Sequence, residues 1–126
     1  MWTTSEFADE FARLSDLLDK ALEFAKLKVR EAAEAERVYR SAKARAWLEA
    51  PRFHEDVKVT AGEREAWVNG ETAEQREKRD IADGLRQMGL EAIRSRRAQI
   101  SMLQTALNAH KEEAGLARTG PEWGAA

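Results

Sequence analysis

From Phe7 to Ala46, apolar residues recur at alternating intervals of four and three. The series is Phe7, Phe11, Leu14, Leu18, Ala21, Ala25, Ala32, Ala35, Tyr39, Ala42 and Ala46, with Lys28 as the one interruption. That is a heptad-like stripe along a single helix, and it constrains the fold more than any other feature of the chain. Its second half is almost all alanine. A partner helix can approach closely there, but each contact buries little apolar area. Thr3-x-x-Glu6 opens the helix as a capping box, supplying acceptors to free backbone N–H groups. Pro51 closes it near Ala50, because proline lacks the N–H and disfavours helix in the residue before it.

Beyond Pro51, residues 51–59 read as a loop with a short extended piece. Thr60-x-x-Glu63 is a second capping box and starts a short helix, 60–69, which Asn69-Gly70 is expected to end. Thr72-x-x-Gln75 is a third and starts a last helix, 73–114. In it Ile93, Ile100, Leu103 and Leu107 make a buried stripe, Gly84 and Gly89 mark a bend or a close crossing, and Gly115 is the stop. Residues 115–126 are expected to be a flexible C-terminal tail, leaving 1–114 as a single helical domain.

Helices of about 45 and 40 residues run roughly 60–67 Å at 1.5 Å per residue. A compact domain of this length has a radius of gyration near 14 Å. The expected fold is therefore all-α: an elongated helical hairpin of two long helices and a short intervening one, completed by oligomerisation. A monomeric bundle with the first helix broken near Asp19 or Glu31 is the alternative.

Composition excludes several classes. There is no cysteine, hence no disulfide scaffold and no thiolate metal site. No apolar run reaches the roughly 18 residues that span a bilayer, and the N-terminus lacks a basic-then-apolar leader. These features point to a cytoplasmic protein without membrane partners. His54 and His110 lack neighbours at ligand spacing, and there is no phosphate loop or nucleophile elbow. No catalytic residue, metal or cofactor is expected, and the protein is not read as an enzyme.

The net charge of −2 conceals segregation. Segments 1–25 and 53–77 are each net −4, segments 26–52 and 78–111 each net +4, and 112–126 is net −2. A basic surface binds polyanions even on a mildly acidic chain. Lys26, Arg30, Arg37 and Arg40 fall within about 80° of one another on an ideal helix. Arg79, Arg86 and Arg97 line up on the last helix, with Arg94 beside Arg97. Arg94, Arg96 and Arg97 crowd three guanidinium groups into four residues, a repulsive arrangement that an anionic partner relieves. Lys43, Arg45 and Trp47 combine cations with an aromatic at the end of the first helix, and Arg52 follows. Such a set holds phosphates while stacking a base. For Trp47 the competing role is packing against the short helix. For Lys43 and Arg45 it is the favourable interaction of cations with a helix C-terminus.

Two stretches together resemble the phage recombination mediators of the UvsY type. Ser41-Ala-Lys-Ala-Arg45 followed by Trp47 resembles that family's Lys-Ala-Arg-plus-aromatic segment. Gly89-Leu-Glu-Ala-Ile-Arg-Ser-Arg96, continuing to Ile100 and Gln104, resembles its C-terminal Ala-Ile-Lys/Arg-Ser-Arg stretch. The likeness covers about residues 20–110, its specific part about 20 positions. It departs at Trp47, one residue early and a single aromatic, and at Arg97, where the family carries a small residue. The resemblance implies a ring-like homo-oligomer that binds single-stranded DNA and helps load a RecA-like recombinase onto strands coated by single-strand-binding protein. By position it makes Lys43 and Arg45 the DNA contacts, with Arg94 and Arg96 in the second motif. Two other readings compete. One is a structural or assembly coiled coil such as a phage morphogenesis chaperone. The other is a secreted Trp-x-Gly helical hairpin, to which Trp67-Val-Asn-Gly70 is similar apart from one extra residue.

Overall fold

A computed structural model describes residues 2–125, and the side chains of residues 2–115. The order is α1 (Thr4–Glu49), β1 (Phe53–His54), β2 (Val57–Lys58), α2 (Ala61–Glu71) and α3 (Ala73–Ala125). The fold is an all-α helical hairpin in which the two long helices pack against each other. α1 runs unbroken through Asp19 and Glu31, so the broken bundle does not form. Every position of the Phe7-to-Ala46 series is buried or half-buried. Lys28 sits in the stripe half-buried, its Nζ 3.0 Å from Glu31 and 5.3 Å from the centre of the Phe24 ring.

The first two capping boxes form as read. Thr3 Oγ1 accepts from Glu6 N and Thr60 Oγ1 from Glu63 N, each at 3.1 Å. The third does not. Thr72 is fully buried, and its hydroxyl donates to the Val68 carbonyl at 2.8 Å. Its N–H also goes back to Val68 O at 3.0 Å, while its carbonyl accepts from Arg76 N at 2.9 Å. Thr72 thus ends α2 and joins it to α3 through a single non-helical residue.

Two expected helix ends also move. α2 runs on through Asn69 and Gly70 to Glu71, and α3 runs on through Gly115. Among the described residues no glycine has positive φ. Neither glycine therefore provides a left-handed cap, and continuing backbone hydrogen bonds outweigh glycine's modest helix penalty. The flexible tail expected over 115–126 falls on residues that α3 carries on to Ala125; beyond Gly115 their side chains lie outside the described residues. The loop after Pro51 contains a short antiparallel hairpin pairing Phe53 with Lys58 and His54 with Val57. Glu55 makes its turn at φ 56°, a conformation uncommon for a residue with a side chain.

The chain divides into two compact units, residues 1–23 with 91–126, and residues 24–90. In the first, Phe7, Leu14 and Leu103 are buried, with Phe11, Leu17, Ile100 and Leu107 packed around them. Trp2 meets Phe7 edge-on at 5.3 Å between centroids, and His110 packs on it at 5.4 Å. In the second, Gly89 of α3 lies against Ala25 of α1. A β-carbon at Gly89 would come within 3.0 Å of Ala25 Cα. Gly89 is therefore the close crossing that the spacing raised, whereas Gly84 has open space around it. Further along, Ala46, Ala50 and Val68 form a core with Trp47 and Trp67 packed against it. This core seats α2 against the end of α1.

Candidate nucleic-acid interface

The eight residues singled out as contacts divide between the units. Lys43, Arg45, Trp47, Arg37 and Arg40 belong to the second, and Arg94, Arg96 and Arg97 to the first.

Arg37 and Arg40 face solvent, but their charge is engaged. Arg37 Nε donates to Glu34 Oε2 at 3.0 Å, and Arg40 Nε to Glu36 Oε1 at 2.8 Å. The hydrogen bond from Arg37 holds the Glu34 carboxyl below its ordinary range and raises the guanidinium above its own. Each pair is one helical turn apart, a spacing set by the sequence. Lys43 and Arg45 are different. Both are exposed, and neither has a carboxylate partner among the described residues. Lys43 Nζ stands 5.9 Å from the centre of the Tyr39 ring, at the outer limit of a cation–π contact.

Trp47 is half-buried against the Ala46–Ala50–Val68 core. The Arg64 guanidinium lies 5.6 Å from its ring centre, and Arg64 Nη2 donates to the Trp47 carbonyl at 3.2 Å. The ring packs against the short helix, and a cation shares the rest of it. In the first unit, Arg94 pairs with Glu91 at 3.4 Å, and Arg96 is half-buried with Nη1 2.9 Å from Gln99 Oε1. Arg97 is exposed and without a carboxylate partner among the described residues.

The two basic stripes expected from helical geometry are interrupted. Arg79 lies over the Tyr39 ring at 4.2 Å, 3.8 Å from Glu36 and 2.9 Å from Asp80. Arg86 binds Asp83 at 2.8 Å. Both guanidinium groups are half-buried, and Arg79 links α3 to Tyr39 and Glu36 of α1. His54 is exposed on β1, and His110 is occupied with Phe7. Among the described residues no three His, Asp or Glu gather as metal ligands, and no helix is long and apolar enough to cross a membrane.

Sequence reading missed Lys58 and Arg64, which line one pocket with Arg52 and Phe53. They lie in a segment whose net charge is acidic, and only the hairpin brings them beside Arg52. Comparison with known protein families, curated proteins and solved structures finds no match to this chain.

Proposed function

We propose that this chain is a non-enzymatic, oligomeric single-stranded DNA-binding protein. It acts as a phage recombination mediator, helping to load a RecA-like recombinase onto strands coated by single-strand-binding protein. One observation carries the DNA-binding part. Lys43 and Arg45, the positions matched by the resemblance, are exposed cations with no neutralising carboxylate among the described residues, whereas Arg37 and Arg40, two turns and one turn before Lys43, are paired. Unpaired cations are free to displace the counterions condensed on a phosphate backbone. Recombinase loading rests on the resemblance alone.

The test is titration of a labelled oligonucleotide at several salt concentrations. The expected result is a preference for single strands, with log affinity falling against log salt by about 0.7 per phosphate neutralised. Lys43→Ala with Arg45→Ala should lower affinity and flatten that slope by about 1.4. Folding should be little affected, since alanine favours helix and neither cation lies in the last turn of α1, where the helix dipole acts. A double variant that melts normally and binds unchanged would remove this reading.

The assembly coiled coil would then take its place. Its support is the apolar surface of α1, where Phe24, Leu27 and Val29 are each more than 40% exposed.

A further inference from the structure

The hairpin turns the chain back so that Arg52, Phe53, Lys58, Val59 and Arg64 surround an open pocket of about 670 Å³ beside the start of α2. That volume lies within the roughly 300–1,000 Å³ typical of small-ligand sites. None of its three cations has a carboxylate partner among the described residues, although nine other Lys and Arg side chains do. The turn carboxylates Glu55 and Asp56 do not line it. Arg64 Nε is buried and lacks a hydrogen-bond partner, a costly state for a charged donor. Phe53 is 63% exposed, an unusual position for a large aromatic on a two-residue strand. The pocket thus offers three cationic groups beside one free ring face.

We propose that this pocket is a nucleotide subsite for single-stranded DNA. Arg52 and Lys58 hold the phosphodiester, Arg64 closes the floor, and a base stacks on Phe53. This rests on the DNA-binding reading above and extends it. Arg64 touches Trp47, so the pocket adjoins the end of α1, one turn beyond Lys43 and Arg45. It transfers the stacking role from Trp47, which is packed, to Phe53, which is open. A strand following this surface would meet Lys43 and Arg45 through phosphates only, then place one base in the pocket.

The experiment uses the full chain and a thymidine oligonucleotide across a salt series. Phe53→Ala should weaken binding roughly 5- to 150-fold, the range for loss of one stacked base, with the salt slope unchanged. Arg52→Ala with Lys58→Ala should weaken binding and flatten the slope by about 1.4. An oligonucleotide carrying 5-iododeoxyuridine should photocross-link the unsubstituted protein at Phe53. All three residues are exposed, so the variants should melt like the parent. If Lys43→Ala with Arg45→Ala loses affinity while both pocket variants bind as the parent does, and the cross-link maps elsewhere, the pocket proposal fails and the DNA-binding reading stands. If the unsubstituted chain binds no single strand at low salt, both fall.

Discussion

At the scale of single residues, the two glycines of α3 make opposite predictions from the same chemistry. Glycine in a helix costs roughly 0.5–1 kcal/mol relative to alanine. At Gly84 an added β-carbon meets nothing within 4 Å, so Gly84→Ala should gain about that much. At Gly89 the same carbon would lie 3.0 Å from Ala25 Cα and 3.3 Å from both Ala25 Cβ and Phe24 Cδ1. The first of these is backbone and cannot swing aside. Gly89→Ala should therefore lose about 1–3 kcal/mol, the usual cost of overpacking. Denaturant melts of the two variants decide it, and a Gly89→Ala protein as stable as the parent would refute the close crossing. The sequence marked both positions but could not separate them, because the difference lies in what α1 places opposite. Trp47 is the same kind of case. Its packing against the short helix was one of two roles the sequence offered, and the docking of α2, with Val68 and Arg64, is what selects it.

At the scale of elements, periodicity carried the furthest. The four-three series in α1 picked out inward positions along its whole length, since burial against one partner helix depends on angle around the axis, but it passed over Leu17, which packs against the first core. Helix ends were read less well. Gly70 and Gly115 look like punctuation, yet α2 and α3 run through them, and Thr72, read as a helix start, is instead the buried residue that joins the two helices. The hairpin was seen only as an extended piece. Its strands have two residues each, and its Glu55-Asp56 turn lacks the glycine or asparagine that usually marks one. Within the basic stripe of α1, Arg37 and Arg40 each bind a carboxylate about one turn away. That gives a test on α1. Glu34→Gln should leave Arg37 unpaired, raise single-strand affinity and steepen the salt slope by about 0.7. Acid should act in the same direction. The folded carboxyl of Glu34 titrates below its ordinary value of 4.5. The stability from this pair is thus present above that ordinary value and lost as pH falls through the lower folded one. An unchanged slope in Glu34→Gln would place Arg37 outside the path of the strand.

At the scale of the whole molecule, exposed apolar side chains argue for self-association. A standard interface removes about 800 Å² from each partner, and a closed ring requires two such faces per protomer. The surface in question includes Leu22, Phe24, Leu27, Val29, Val38, Ile81 and Met88, all between 38% and 63% exposed. A second copy is the occupant this area fits, because each protomer brings the same apolar residues and the same alternation of acidic and basic segments. The expected outcome is a homo-oligomer larger than a dimer, seen by light scattering at micromolar concentration. Leu27→Lys with Val29→Lys should shift it toward smaller species without unfolding, since both side chains point to solvent in the single chain. Assembly would also multiply the unpaired Lys43 and Arg45 along one bound strand, making affinity depend on protomer concentration. A parent protein that stays monomeric and well folded across that concentration range would overturn the oligomer and the multiplied DNA contact together.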